Sequence, residues 1–155
     1  MAAPKPSEHR TIARNKRALH EYEVLDRLEV GIVLQGTEVK SLRAGRVSLQ
    51  EAYVMVKQGD LWLMQSHIPE YAQGNVWNHE PTRARKLLAK KREIERWEKS
   101  VKQKGTTAVP LEIYWLGSLV KLEIALVRGK KLHDKRQSER EKTDRREMDR
   151  ELKKR

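Results

Sequence analysis

The fold is decided by the stretch Gly31-Ile32-Val33-Leu34-Gln35-Gly36-Thr37-Glu38-Val39-Lys40-Ser41-Leu42-Arg43-Ala44-Gly45. It opens with an apolar, β-rich run between two glycines, which predicts a strand. The remainder predicts a short helix. Lys40 and Arg43 are three residues apart, so a rigid strand and helix would present two cations on one side. Two interpretations stay open at this point. The cations form a binding surface for an anion, or the segment is an ordinary strand-turn-helix corner whose basic side chains are simply solvated.

The ends and the inner face of this helix can be assigned from the same residues. Thr37 is a suitable N-cap, and Glu38 suits the positive end of the helix dipole. Gly45 suits the position just beyond the C-terminus. Val39 and Leu42 would face inward and pack the helix on the preceding strand. The helix is therefore predicted to be amphipathic and fixed in place.

Composition limits the class of protein. The chain has 155 residues, which suits one domain with appendages, and 34 Lys and Arg against 22 Asp and Glu give a net charge of +12. It contains no cysteine, so disulfides and thiolate chemistry are excluded. No apolar run reaches the ~18 residues of a membrane span, and the N-terminus lacks the apolar centre of a signal peptide. We expect a cytoplasmic protein with no membrane partner.

The positive charge is concentrated at the two ends. Residues 1–19 carry five cations against one acid, and residues 128–155 carry thirteen cations against seven acids. The segment between them has a net charge of only +2. Basic segments on both sides of a nearly neutral body indicate a polyanionic partner, either nucleic acid or an anionic membrane face, although solubility is the simpler alternative.

Alternating apolar residues predict a mainly β body that also contains helices and spans residues 15–129. A flexible segment, residues 1–14, precedes this body, and a basic tail, residues 130–155, follows it. Strands are expected at about 21–24, 29–35, 52–57, 61–66, 111–116 and 119–127. Gln58-Gly59-Asp60 and Leu116-Gly117-Ser118 would form the hairpin turns. A long helix would run from about Pro81 to Gly105. This order predicts an antiparallel β-barrel of the oligonucleotide-binding (OB) type.

The tail, residues 130–155, contains few apolar residues, so it has little to bury against the body. Oppositely charged pairs four residues apart favour a helix, but an isolated helix of this length is marginal in water. The tail is predicted to be disordered when free and helical when a polyanion binds it.

Motifs for catalysis are missing from the sequence. We find no phosphate-binding loop, no zinc pattern and no nucleophile elbow. The five histidines are scattered, and His67, His79 and Glu80 could meet in one loop, although packed or surface histidines are the ordinary interpretation. We expect no enzyme activity, no metal and no cofactor.

Four segments together resemble the small protein B (SmpB) family, the tmRNA-binding proteins of bacterial trans-translation. They are Asn15–Tyr22, Gly36–Gly45, Asn78–Leu88 and Gly129–Arg136. The resemblance implies an OB-type barrel that binds the tRNA-like domain of tmRNA. It also implies that the protein, monomeric when bound, delivers this RNA to stalled ribosomes, with the tail in the vacant decoding region.

The resemblance also implies site residues. Those matching family positions implicated in tmRNA binding are Asn15, Glu29, Leu88 and Lys121. The signature helix and the basic residues of the matching segments complete the RNA-binding candidates: Lys16, Arg17, His20, Glu38, Lys40, Arg43, Arg83, Arg85, Lys86, Lys130 and Lys131. The segment implied to act on the ribosome is His133, Asp134, Lys135 and Arg136.

Two other classes of function remain as alternatives. A ribosome-associated or initiation-type RNA-binding protein would have a similar charge and a similar barrel. An RNA-processing enzyme is the second alternative, and a turnover assay would exclude it.

Overall fold

The computed structural model describes residues 8–73 and 78–130, together with Arg140, residues 142–148 and Arg150. Seven strands and three helices make up the part before residue 130. In chain order they are β1 (His9–Arg14), α1 (Lys16–Glu21), β2 (Tyr22–Ile32), α2 (Gly36–Arg43), β3 (Tyr53–Lys57), β4 (Asp60–Met64), β5 (Arg85–Leu88), α3 (Lys91–Val101), β6 (Thr106–Leu116) and β7 (Leu119–Gly129).

Strands β2 to β7 form a closed antiparallel barrel. The order around the barrel is β6-β3-β4-β5-β2-β7, and β7 pairs again with β6 to close it. The first strand, β1, pairs with the C-terminal half of β6, next to the short β3–β6 contact. The prediction of a mainly β, OB-type barrel with helices is confirmed.

Both predicted hairpins are present. In the β3–β4 hairpin Val54 pairs with Leu63, and Gln58 and Gly59 form the turn with φ angles of 53° and 77°. A two-residue turn with both residues in the left-handed region matches the twist of the strands that it joins. The β6–β7 hairpin turns at Gly117, whose φ is 61°.

The barrel encloses the main hydrophobic core. Its largest fully buried apolar side chain is Trp97 of α3, which packs with Leu61, Leu87 and Ile124 from three strands. A second, smaller cluster lies outside the barrel, where Ala18 of α1 covers the outer side of β6 and β7. Helix α1 therefore hides one half of the outer β6–β7 surface and leaves the other half uncovered.

The N-terminal prediction is wrong for the described residues. Residues 1–14 were expected to be flexible, but His9–Arg14 form β1, and residues 1–7 lie outside the described part. The strand has few apolar residues, so its own pattern does not indicate it. It forms because the exposed edge of β6 supplies backbone partners for it.

Two strand and helix boundaries also differ from the predictions. The expected strands at 21–24 and 29–35 are one continuous strand, β2, which ends at Ile32. The expected helix start at Pro81 is wrong, because Arg85–Leu88 form β5 between β4 and β2, and α3 covers only Lys91–Val101. The backbone hydrogen bonds that β5 forms with β4 and β2 on its two edges outweigh the helical preference that the spacing of Leu87 and Leu88 indicated.

Helix α2 follows the prediction at its C-terminus but not at its N-terminus. Gly45 has a φ of 73°, as expected for a residue just beyond the helix end. Leu42 is buried in the core, Val39 is half-buried, and Lys40 is exposed. The N-cap is Gln35 instead of Thr37, so the helix starts earlier than the sequence indicated.

Of the tail, the structure describes residues 142–148 as helical and exposed. The expected disorder of the free tail stays a prediction. Within the described ranges, every helix is too short or too polar to cross a bilayer.

Candidate nucleic-acid interface

One row of outward-facing residues crosses five neighbouring strands on the uncovered half of the barrel. Gly31 on β2 pairs with Leu88 on β5 and with Lys121 on β7. Lys121 pairs with Tyr114 on β6, which pairs with Thr11 on β1. We call these five residues the outer row. The barrel thus brings together Leu88 and Lys121, two predicted site residues 33 positions apart in the chain.

Glu29 lies directly beside the outer row. It precedes Gly31 by two residues, so it faces the same side of β2, and its carboxylate accepts a hydrogen bond from the Tyr114 hydroxyl. Burial raises the pKa of Tyr114, and Glu29, Glu123 and Glu112 add to the shift. The tyrosine therefore stays protonated and keeps donating to Glu29.

The ring of Tyr114 is also held in place by His9 of β1. The His9 ring stacks on it, with ring centroids 4.1 Å apart and planes inclined by 9°. Glu112 binds His9 Nε2 at 3.1 Å and accepts a hydrogen bond from the Thr11 hydroxyl at 2.5 Å. Burial opposes ionisation of Glu112, but these two hydrogen bonds and the nearby Arg14 lower its pKa overall. The outer row is therefore fixed by β1 as well as by the barrel.

Leu88 reaches its position because Gly31 has no side chain. A Cβ on Gly31 would lie 3.2 Å from the Leu88 Cβ and 3.4 Å from its Cδ1. The leucine lies over the glycine and remains 53% exposed, although it is a large apolar residue. A glycine at this position therefore leaves room for the leucine within the row that also contains Lys121.

These side chains can recognise folded RNA without reading a base sequence. Lys121 can pair with a phosphate, Glu29 can accept from a ribose 2′-hydroxyl, and Leu88 can pack on a ribose or a base. The row runs across five strands of the sheet, which suits an extended RNA surface better than a small molecule.

Glu38 has a different environment. Its side chain is fully buried, and its two carboxylate oxygens accept from the buried Arg85 and from Arg83 at 2.5 Å each. The backbone N–H of Gln35 donates to it at 2.8 Å. Glu38 and Arg85, both predicted RNA contacts, therefore have no surface to offer, and the buried carboxylate braces two arginines.

Arg85 connects four segments through this network. Besides Glu38, its guanidinium donates to Ser66 at the carbonyl and hydroxyl oxygens, and to the carbonyls of Arg83 and Pro81. Burial raises the pKa of Glu38, but the hydrogen bonds from Arg83, Gln35 and Arg85 outweigh it and lower the pKa overall. Burial lowers the pKa of Arg85, and the adjacent Glu38 opposes that effect.

Asn15 is likewise internal. Its side chain is 2% exposed, caps α1 by accepting from the Ala18 N–H, and donates to the carbonyls of Leu49 and Pro110. The structure therefore gives this predicted RNA contact a positioning role: it joins α1 to β6 and to the loop before β3.

Helix α1 carries the other predicted residues of its segment on the surface. Lys16 and Arg17 are exposed, and His20 is half-buried. Arg17 is held by Glu21 and Glu51, with hydrogen bonds that raise its pKa. Lys130 follows β7, and its backbone N–H donates to the carbonyl of Glu21 at 3.1 Å. The start of the tail is therefore adjacent to the C-terminus of α1.

The remaining candidates fall into three groups. Lys40 and Arg43 are exposed on α2, and the Lys40 ammonium lies 5.4 Å from the centre of the Tyr71 ring. Lys86 is half-buried, with its ammonium 3.8 Å from Asp60. The residues outside the described part are Lys131, His133, Asp134, Lys135 and Arg136.

The suggested meeting of histidines in the loop does not produce a reactive site. His79 is 3% exposed, and its Nε2–H donates to the Ile68 carbonyl while Nδ1 lies 2.8 Å from the Thr37 hydroxyl. His67 instead lies on the surface, where its backbone pairs with Ser48. Among the described residues no group of three potential metal ligands comes together.

Sequence reasoning missed Gly31, Tyr114, Thr11, His9 and Glu112 as parts of this surface. Gly31 was treated only as a strand boundary, although a glycine inside a strand often marks a close approach. The strand alternation placed Tyr114 opposite the core-facing residues, but only the register shows that it lies beside Lys121.

Comparisons with known proteins agree on one family. The family model described as SmpB protein matches residues 12–154. The SsrA-binding protein of Kineococcus radiotolerans is 49% identical over 147 residues, which cover 95% of this chain and 94% of that protein. The SsrA-binding protein of Chelativorans sp. is 51% identical over 146 residues, which cover 94% of each chain.

A solved structure has the same fold. A chain from a study of tmRNA and SmpB in the bacterial ribosome superposes with a TM-score of 0.66 at 45% identity. The superposition covers 77% of this chain and 85% of that chain. With a family match that spans the barrel and most of the tail, the chain belongs to the SmpB protein family.

Proposed function

We propose that this protein binds the tRNA-like domain of tmRNA and delivers it to stalled ribosomes in trans-translation. The observation that carries the proposal is the outer row with Glu29 beside it. Three positions that match tmRNA-binding positions of the family, Glu29, Leu88 and Lys121, come from three strands and share one open surface. Chains with this family's name bind SsrA RNA, and the structural relative belongs to a ribosome study.

The chemistry of the surface supports an RNA partner recognised by shape. An ammonium, a carboxylate and an exposed leucine match a phosphate, a 2′-hydroxyl and a ribose or base, which a folded RNA presents together. The nearly neutral body would supply the shape recognition, and the basic ends would add long-range attraction. Ribosomes and tmRNA function in the cytoplasm, so the proposal implies a cytoplasmic protein. Neither binding nor delivery requires this protein to catalyse a reaction.

The tail is proposed to contact the ribosome. Residues 130–155 carry twelve Lys and Arg residues, and the described residues 142–148 are helical and exposed. A helix with so many cations fits a channel of ribosomal RNA, where neutralised phosphates release counterions and stabilise the helix. His133, Asp134, Lys135 and Arg136 would then lie in the vacant decoding region.

The binding step is tested by gel shift with purified components. The protein should retain the tRNA-like domain of tmRNA at concentrations at which an elongator tRNA and initiator tRNA remain free. Equal retention of all three RNAs would contradict the proposal and favour a general ribosome-associated or initiation-type protein. Changes in the length of the RNA during incubation would instead indicate a processing enzyme.

The delivery step is tested by truncating the chain after Lys131. The last strand ends at Gly129, so the truncated protein should keep its fold and most of its tmRNA affinity. It should lose peptide tagging on ribosomes stalled at the end of a message. Equal tagging by the full chain and the truncation would refute the ribosome-facing role of the tail.

A further inference from the structure

A second basic groove lies at one end of the barrel, away from the outer row. It is lined by Arg10 of β1, Arg43 of α2, Trp115 of β6, and Gly117 and Ser118 of the β6–β7 turn, and it encloses about 310 Å³. Three separate parts of the chain therefore meet there. The volume is at the lower limit of ordinary ligand sites, which run from roughly 300 to 1,000 Å³.

The groove opens on the opposite side of the β1–β6 pair from the outer row. Arg10 pairs with Trp115, and the next pair along the two strands is Thr11 with Tyr114. Because successive residues of a strand face opposite sides, the Arg10–Trp115 pair and the Thr11–Tyr114 pair cannot share a face. Trp115 packs in part against the barrel core, which holds its indole in place.

The two guanidinium groups of the groove have no acidic partner in the described part of the chain. This distinguishes them from Arg17, Arg27 and Arg83, each of which is bound to a glutamate. Arginine forms two parallel hydrogen bonds to a phosphate, so a pair of unneutralised guanidinium groups favours a phosphate group over a neutral ligand.

The remaining lining groups suit a nucleotide. The half-buried indole of Trp115 borders the groove and offers a flat surface on which a base can stack, which is a sequence-tolerant way to hold single-stranded RNA. Gly117 has no side chain to obstruct the opening, and Ser118 adds a hydroxyl donor. The carboxylate of Glu8 lies at the rim, 4.0 Å from where a Cβ on Gly117 would be. This carboxylate would repel a phosphate bound in the groove.

We propose that this groove binds one unpaired nucleotide of an RNA chain, with its phosphate between Arg10 and Arg43 and its base against Trp115. The inference rests on the proposed function, because it makes the groove a second contact for the same tmRNA. It adds two residues, Arg10 and Trp115, to the RNA-binding surface. It also gives Arg43 a defined role, as the second guanidinium that holds the phosphate.

The first experiment measures affinity for the tRNA-like domain of tmRNA in four single variants and one double variant. Arg10→Gln and Arg43→Gln should each weaken binding about tenfold, and together they should reduce the slope of log affinity against log salt by about two. Trp115→Leu should weaken binding about tenfold through lost stacking, with little change in the salt slope. Arg92→Gln, an exposed arginine on α3, is the matched control and should bind like the unmodified protein.

Glu8→Gln gives a test in the opposite direction. Removing the carboxylate at the rim should strengthen binding, and the gain should disappear at high salt because it arises from charge alone. Weaker binding by this variant would contradict a phosphate in the groove.

The second experiment observes the indole directly. In protein labelled with 5-fluorotryptophan, the fluorine signal of Trp115 is assigned as the one missing from a Trp115→Phe variant. It should shift when the tRNA-like domain is added, and it should not shift in the Arg10→Gln, Arg43→Gln double variant at the same RNA concentration. Because the arginines are exposed, this double variant should keep the unfolding free energy of the unmodified protein.

The outcomes separate this inference from the proposed function. If the unmodified protein does not bind tmRNA, the proposed function fails. If it binds and Lys121→Gln weakens binding, but the groove variants bind normally and the Trp115 signal stays in place, only the groove inference is overturned. Normal tmRNA binding by the groove variants with loss of ribosome binding alone would also overturn it, because the groove would then face the ribosome.

Discussion

Glu38 and Glu29 are both acids that the sequence places among cations, and the structure puts them in opposite situations. Glu38 is fully buried, and its charge is matched by Arg83 and Arg85 within the protein. Glu29 lies on the outer surface, where its partner is the uncharged hydroxyl of Tyr114. The first carboxylate stabilises the fold, and the second faces outward, where a partner can reach it.

The difference shows that a motif can contain structural and binding residues side by side. Within α2, Glu38 is directed into the protein, whereas Lys40 and Arg43 are exposed. Within β5, Arg85 is buried and Leu88 is exposed. The same family motif therefore predicts two kinds of mutant phenotype, loss of the fold and loss of RNA binding with the fold intact.

The largest expected effect is the loss of the buried carboxylate. Glu38→Gln leaves the fully buried Arg85 without its counter-charge, so the free energy of unfolding should fall by about 3–5 kcal/mol. Urea unfolding followed by circular dichroism measures it. Glu51→Gln removes an exposed partner of Arg17 and should leave the unfolding free energy almost unchanged. A Glu38→Gln protein as stable as the control would mean that Glu38 is not a structural brace.

Acid should destabilise the protein through the same carboxylate. The pKa of Glu38 is lower in the folded chain than its ordinary value of 4.5, so its stabilising contribution is complete above that pH. As the pH falls below about 4.5 towards the folded-state pKa, the contribution is lost. Urea unfolding between pH 7 and pH 3 should show a smaller decrease for Glu38→Gln than for the unmodified chain. Glu112, whose pKa is also lowered, contributes equally in both proteins. Identical pH profiles would contradict this account.

Changes at Leu88 and Gly31 should act on RNA binding while the barrel stays folded. Leu88→Ala removes an exposed apolar side chain that would be buried against the RNA, so it should lower the affinity for the tRNA-like domain about tenfold. Gly31→Ala should have a similar effect, because the added Cβ would lie 3.2 Å from the Leu88 Cβ and displace that side chain. In the double variant the two losses should not add. Additive losses would show that Gly31 acts independently of Leu88.

The smallest expected effect concerns a single phosphate contact. Lys121→Gln should reduce the slope of log affinity against log salt by about one unit and leave stability unchanged. The measurement is a filter-binding series between low and high salt. Lys57→Gln, at the exposed end of β3, is the control cation and should keep the full slope. An unchanged slope for Lys121→Gln would remove the lysine from the RNA interface.

Local patterns were sufficient to predict several elements of the fold. The β3–β4 and β6–β7 hairpins, the left-handed glycines at their turns and the end of α2 at Gly45 all follow from short stretches of consecutive residues. Turn chemistry and the alternation of apolar residues are local, so they can be read without knowing the partners. Charge distribution and the family resemblance were likewise available from the sequence alone.

Elements that depend on a distant partner were mispredicted. The segment His9–Arg14 is a strand only because the edge of β6, about 100 residues later, pairs with it. Arg85–Leu88 has helical spacing, yet it forms β5 because β4 and β2 supply backbone partners on both of its edges. The energy of such pairing depends on both strands, so the sequence of one segment alone gives little indication of it.

The sequence by itself determined which residues carry the chemistry, and the tertiary structure decided which of them are free to use it. The resemblance to the SmpB family implied Glu29, Glu38, Arg85, Leu88 and Lys121 as site residues without distinguishing among them. The barrel register then put Leu88 and Lys121 on either side of Gly31, while the fold of α2 against β5 buried Glu38 with Arg85. The physical reason is that burial and register are set by contacts between residues far apart in the chain, which no local pattern specifies.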